Sequence, residues 1–300
     1  MADPFAYIDL ARRGRTGVWP ALRGCLWILG FFVLEIVVGI VLVRSSPAFA
    51  QRFGLLVQGG AGLWFELGFV AAQSAVVLAG VYCATVLSQK RPFGTLVSGD
   101  GSLEIRRVLA GAAAWLAAAA LAGLIGGVIA GLTRSAGTEA LPKFQPPDAA
   151  WYEALAAGLV LIPLQAGGEE LVFRGWLTQT IGQWLRYRVA LVLLVGVLFA
   201  LVHSTAPGAL VYFTVFSAGL SATTLKDGRL ELAIGAHTMQ NLFVLQIARP
   251  LLEGGQTTLF GADLGAIGAE AVFAALLQSA LIYVIATSAL WHRLFGLKAA

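Results

Sequence analysis

Apolar residues run through this chain in blocks too long to serve only as the core of a soluble domain. Reading about 20 consecutive apolar residues as one bilayer crossing predicts spans near 24–43, 67–87, 108–132, 154–180, 189–206, 209–225, 232–248 and 270–291. Polar and charged residues collect between the blocks. The pattern therefore predicts an all-α, polytopic integral membrane protein of about eight transmembrane helices, with any active site inside the helix bundle. It divides the chain into a cytoplasmic N-terminal segment (1–23), N-terminal membrane helices and loops (24–149), a core carrying the chemistry (150–248) and a C-terminal loop with the last helix (249–300).

Composition agrees with the pattern. Of the 300 residues 58% are hydrophobic and 12% charged, and the mean hydropathy is +0.82, which leaves too little polar surface to cover a globule. A secreted disulfide scaffold, a disordered chain, a coiled coil and a soluble enzyme on one anchor are excluded. The net charge of +4 comes from short basic clusters between apolar runs, so it reads as a topology signal and no nucleic-acid partner is expected.

With the N-terminus inside, Arg12, Arg13, Arg15, Arg23, Lys90, Arg91, Arg106, Arg107, Arg186, Arg188, Lys226, Arg229, Arg293 and Lys298 face the cytoplasm, 14 of the 20 basic residues. Arg44, Arg52, Arg134, Lys143 and Arg249 fall outside, and Arg174 lies within a span. The bias predicts a multi-pass protein of the cell membrane, a bacterial inner membrane, with both termini cytoplasmic. Ala48-Phe49-Ala50 resembles a signal-peptidase site, but the 20-residue run before it is too long for a signal core and Arg44 closes it, so the first span is expected to be retained. Cys25 and Cys83 read as thiols at cytoplasmic span ends. Gly123, Gly127 and Gly131 recur every four residues and read as a seam for close helix packing.

Chemistry belongs where polar groups occupy apolar helices, because an ionisable side chain in hydrocarbon is costly unless paired or working. Glu35 interrupts the first span and reads as a structural group, while Glu66 and Glu270 are expected near water at outer ends. The fourth span holds Gly167-Gly168-Glu169-Glu170-Leu171-Val172-Phe173-Arg174-Gly175. On a helix Glu170 and Arg174 are i, i+4 neighbours able to form a bidentate pair, and Glu169, rotated by about 100°, faces another environment. A purely structural ion-pair knot is the alternative.

Of the three histidines, His292 stands beside Trp291 and Arg293 and reads as an interfacial anchor. His203 follows Phe199 by one turn, so the ring can wall off and orient the imidazole. His237 and Asn241 share a helix face and can aim two donors at one point, which suits an oxyanion as well as an interhelical hydrogen-bonded pair.

Together E-E-x-x-x-R, F-x-x-x-H and H-x-x-x-N, in that order on three helices within about 150–248, resemble the family of CAAX prenyl endopeptidases and bacteriocin-processing proteins. The resemblance implies a glutamate-dependent intramembrane endopeptidase that cuts a peptide bond near the membrane. Its motif positions fall on Glu169, Glu170, Arg174, Phe199, His203, His237 and Asn241. By analogy Glu169 and His203 activate water, His237 and Asn241 stabilise the oxyanion, and Glu170 with Arg174 sets the helix and its local field. The implied partners are membrane lipid and a membrane-associated peptide or protein substrate, with no cofactor. Zinc held by Glu169, His203 and His237 is the mechanistic alternative; a proton-relay transporter or a non-catalytic scaffold is the alternative in class.

One geometric tension accompanies this reading. Counted from Tyr187 at 1.5 Å per residue, Glu169 and His203 rise roughly 27 and 24 Å, but His237 rises only about 12 Å from Arg229. A tilt, a helix break or a turn buried below the interface has to close the gap.

Overall fold

The computed structural model describes residues 5–56, 61–133, 144–252 and 267–298, except the side chains of 130–133 and 249. Arg134 and Lys143, two of the expected outer basic residues, lie outside the described residues, as do the side chain of Arg249 and the surroundings of Gly131. The described residues contain helices and no strand.

Two short segments, α1 (Ala6–Asp9) and a 3₁₀ turn Leu10–Arg13, lead into α2 (Val18–Ser45). Then come α3 (Pro47–Leu56), α4 (Leu63–Tyr82) with a π-helical end Cys83–Ser88, α5 (Ile105–Thr133) and α6 (Ala149–Glu170). From α6 the chain continues through π-helical turns Leu171–Leu177 into α7 (Thr178–Ile181). The remaining helices are α8 (Arg188–His203), α9 (Pro207–Asp227), α10 (Glu231–Leu242) with a π-helical extension Phe243–Leu252, α11 (Ala269–Ala286) and α12 (Ala289–Leu294).

Each expected span finds a helix, but among the described residues six are long and apolar enough to cross a membrane. Two of the eight expected spans fall short of that length. Helix α8 is apolar but only 16 residues long. Helix α10 is 12 residues before its π-helical extension, and it is sheathed by α5, α6 and α9. A helix enclosed by protein has no lipid to match, so its side chains need not be uniformly apolar. The last expected span also breaks: α11 ends at Ala286, and the Ser288 side chain caps α12 by accepting from Trp291 N at 3.1 Å.

The buried turn is the solution to the depth problem. Gly228 closes α9 in the left-handed region at φ 76°, a conformation glycine adopts without penalty. The next residues, Arg229, Leu230 and Glu231, are buried. Leu230 N donates to Val97 O at 2.9 Å, and Arg229 reaches Asp100 and Ser102. The segment 93–104 thus lies over the turn, and a count of residues from Arg229 begins inside the protein.

Helix α10 is held against α5 by direct backbone approach. A methyl group at Gly235 would collide with the Val108 carbonyl and sit 2.8 Å from Ala112 N, so only glycine permits this crossing two residues before His237. The Gly123–Gly127 seam behaves otherwise. Neither position meets a neighbour within 4 Å among the described residues, so the expected close packing there is absent from those residues. Glu66 is also corrected: it is 2% exposed in the first turn of α4 instead of facing water, a position where the helix dipole favours an acid. Glu270 is exposed as expected, and Cys25 and Cys83 are free thiols.

The ends of the helices expected on the cytoplasmic side form one connected polar face. Arg186 pairs with Asp9 at 2.9 Å, Arg12 donates to Gln183, Arg13 to Gly99 O, and Arg91 to Gln179 and Gln89. Arg107 holds Asp227 at 2.9 Å and also reaches Lys298 O, while His292, expected as an interfacial anchor, lies 3.4 Å from the same Asp227. The N-terminal segment is part of this face: Tyr7 and Ile8 are buried, and Tyr7 Oη donates to Leu96 O at 2.5 Å.

Candidate active site

Glu169 and Glu170 close α6, and the chain then widens into π-helical turns that carry Arg174. Such turns are uncommon and recur at functional sites. Phe199 and His203 end α8, while His237 and Asn241 lie one turn apart on α10. These three helices bring Glu169, His203 and His237 together. His203 Nε2 lies 3.5 Å and His237 Nε2 3.7 Å from the same oxygen, Glu169 Oε2. That oxygen is buried and has no hydrogen-bond partner among the described residues.

Each imidazole is fixed by its other nitrogen. His203 Nδ1 lies 2.8 Å from Phe199 O, and because a carbonyl only accepts, Nδ1 carries the proton. The His203 ring stacks on Phe199 with centroids 4.2 Å apart, and Phe213 covers it at 4.8 Å. His237 Nδ1 faces Glu170 Oε1 at 2.7 Å and donates to that carboxylate. Nε2 is therefore the inward-facing nitrogen of both rings, bare in the neutral form and a donor only with a second proton.

Glu170 and Arg174 are paired, but through one bond. Arg174 Nη1 meets Glu170 Oε1 at 2.9 Å, both side chains being fully buried. The expected bidentate pair does not form: Oε1 is shared with His237, and Glu170 Oε2 and Arg174 Nε and Nη2 have no hydrogen-bond partner among the described residues. The Arg174 guanidinium instead lies over the Phe199 ring, 4.5 Å from its centroid. Phe199 thus touches both Arg174 and His203, and its edge contacts reach Phe173 and His237.

Asn241 does not simply stand beside His237 as a second donor. Its Nδ2 donates to Gln165 Oε1 at 3.2 Å, and Gln165 Nε2 donates to Glu169 Oε1 at 2.5 Å. Gln165, absent from the motifs, thus connects the outer carboxylate oxygen to Asn241. Its signal in the sequence was an amide one turn before Glu169 in an otherwise apolar stretch. A second amide, Gln240, accepts from Trp115 Nε1 at 2.8 Å and donates to Tyr212 Oη at 3.4 Å, anchoring α10 to α5 and α9 beside Asn241. Among the described residues no group of three His, Cys, Asp or Glu side chains is arranged to hold a metal ion.

Comparison with known proteins adds to this geometry. No solved structure matches the chain. The uncharacterized protein YyaK of Bacillus subtilis (strain 168) is 28% identical over 284 residues, covering 87% of this chain and 91% of its own. Residues 151–243, the stretch that brings Glu169, His203 and His237 together, match the family of type II CAAX prenyl endopeptidases described as Rce1-like, the family group that the three motifs resemble.

Proposed function

We propose that this protein is an intramembrane endopeptidase that hydrolyses a peptide bond in a membrane-associated peptide or protein with water activated by Glu169 and His203. The observation that carries the reading is the buried Glu169 Oε2 faced by two imidazole Nε2 atoms at 3.5 and 3.7 Å. A carboxylate and a bare imidazole nitrogen aimed at one small volume are suited to take and return a proton.

In the proposed step Glu169 accepts a proton from water as its oxygen adds to the substrate carbonyl carbon. Asn241 has two N–H donors, so one can remain on Gln165 while the other meets the oxyanion, joined by His237 Nε2 when that ring carries its second proton. The C–N bond then breaks as the leaving nitrogen takes the proton held between Glu169 and His203, giving an amine and a carboxylic acid, which releases its proton to solvent as a carboxylate. Glu170 and Arg174 position His237 and the π-helical turns. The protein's own residues supply every proton transfer, and the reading assigns no cofactor.

The bias of basic residues supports a protein surrounded by membrane lipid with both termini cytoplasmic. The test is comparative proteomics of membranes carrying wild type or Glu169→Ala. New termini that depend on Glu169 are expected, and identical terminus profiles at equal protein levels would overturn the reading.

A further inference from the structure

We propose that Tyr212 binds the substrate: its hydroxyl donates a hydrogen bond to a backbone carbonyl of the peptide, next to the carbonyl that is attacked. The inference rests on the peptidase reading and deepens it, and the experiment below lets the two fail separately.

The polarity of this hydroxyl is set from inside the bundle. An indole N–H only donates, so the 2.8 Å bond from Trp115 Nε1 on α5 turns the Gln240 amide oxygen toward Trp115. The amide nitrogen then faces Tyr212 Oη at 3.4 Å and has only protons to offer. Tyr212 Oη is thereby the acceptor, and its own proton is left to give. Among the described residues no group receives it. Trp115 is 2% exposed, whereas Tyr212 is half-buried. The relay therefore runs from a buried indole to a phenol whose free donor suits an acceptor from outside the chain.

Depth places this donor at the site. The rings of Phe216 and His237 are 5.4 Å apart and Tyr212 meets Gln240, so α9 and α10, joined by the Gly228 turn, run antiparallel with Phe216 beside His237. Four residues further from the turn stand Tyr212 on one helix and Asn241 on the other, each about 6 Å beyond that contact. Tyr212 thus shares the level of the residue assigned to the oxyanion. Its neighbour Phe213, with ring centroids 5.3 Å apart, is the residue that covers His203.

The side of α10 that Tyr212 touches decides which oxygen it meets. His237 and Asn241 share one face, and Gln240 is rotated from Asn241 by about 100°. A hydroxyl held against Gln240 stands beside the point where His237 and Asn241 converge, where a flanking carbonyl lies instead of the oxyanion. An extended peptide advances about 3.3 Å per residue and leaves its carbonyls open, whereas helical carbonyls are bonded internally. The contact therefore selects a substrate segment that is unwound where it is cut.

The test uses the full-length protein in detergent and a synthetic peptide spanning a Glu169-dependent cleavage site. The carbonyls flanking the scissile bond are replaced one at a time by thiocarbonyls, which are poorer acceptors. With wild type, one replacement is expected to raise KM by roughly 2- to 13-fold, the range for a single neutral hydrogen bond, with the effect on KM and not on kcat. Tyr212→Phe is expected to raise KM for the parent peptide comparably and to be indifferent to that replacement, while its thermal midpoint stays at the wild-type value. Gln240→Glu keeps the side chain's shape and its acceptor for Trp115 but gives the Tyr212 proton a carboxylate, so the same indifference is expected. A lowered midpoint in Tyr212→Phe with the wild-type ratio between parent and thio peptides would overturn the assignment in favour of a structural role. An unchanged KM and an unchanged ratio would overturn it outright, with Glu169-dependent cleavage still standing. Absence of any Glu169-dependent cleavage by wild type would remove the peptidase reading, and this assignment with it.

Discussion

His237 and Glu170 are joined at 2.7 Å through an oxygen that also accepts from Arg174 at 2.9 Å. The second glutamate of the pair is thereby tied to the last motif of the three as well as to its own arginine. Glu170→Gln leaves the buried Arg174 cation uncompensated and loosens His237. A stability loss of about 3–5 kcal/mol is expected on breaking a buried pair from one side, together with reduced turnover. Thermal unfolding of the purified variant in detergent checks this, and an unshifted midpoint would mean that the pair contributes nothing.

Glu169→Gln and His203→Ala are expected to abolish peptide cleavage while insertion and folding persist, because each removes a proton-transfer group without removing a span. The check is turnover of equal amounts of folded, purified protein. Wild-type rates from either variant would defeat the assignment of water activation.

Asn241→Ala should lower kcat by roughly 10²- to 10³-fold, about 2.7–4 kcal/mol, with little change in substrate binding. Asn241→Asp should be at least as harmful, since an acid there opposes the forming oxyanion. Gln165→Leu removes the amide that spans Asn241 and Glu169; losing both hydrogen bonds, worth about 0.5–1.5 kcal/mol each, predicts a fall in kcat of roughly 5- to 160-fold. The double variant should lose less than the two effects combined, because they share one chain of contacts. Strict additivity would show that Gln165 acts apart from Asn241.

Dialysis against a strong chelator is expected to leave activity intact, with elemental analysis finding substoichiometric zinc. Stoichiometric zinc whose removal and return switch activity off and on would transfer Glu169, His203 and His237 to the role of ligands.

Asp100 gives a pH prediction at the polar face. The Ser98 hydroxyl, then the Ser102 backbone N–H and hydroxyl, and Arg229 beyond them hold its carboxyl below the ordinary 3.8. A carboxyl depressed in the folded state stabilises above its unfolded value, and the contribution disappears as pH falls through the folded value. Wild type should therefore lose more thermal stability than Asp100→Asn as pH is lowered from neutral through about pH 3. Parallel curves for the two proteins would contradict this.

Much of this arrangement is legible along the chain because intramembrane charge is rare enough to stand out. Glu169, His203 and His237 are visible as isolated polar positions in apolar stretches, and they meet within 3.7 Å. Gln165 escapes notice because a lone amide in a span has no partner in its own motif; it gains meaning only when α10 brings Asn241 to it. The Arg229 turn is hidden for a different reason. A basic residue after a helix reads as an interface marker, and nothing local reveals that the segment 93–104 covers it. Tyr7 and Ile8 are too few to show a period, so the docking of the N-terminal segment arises from tertiary contact alone.

The Arg107 linkage also sets an order of events during synthesis. Its acceptors, Asp227 and the Lys298 carbonyl, lie 120 and 191 residues downstream. At about 5–20 residues per second, a ribosome needs roughly 6–24 s after making Arg107 before Asp227 exists, and nearly the whole chain before Lys298 does. Until then the carboxylate of Glu104, 3.5 Å from Arg107 Nε, is the counter-charge at this helix start, and the buried pair with Asp227 is still to form. Closure of this face therefore acts as a late assembly step, one that only a chain with its final two helices in place can complete.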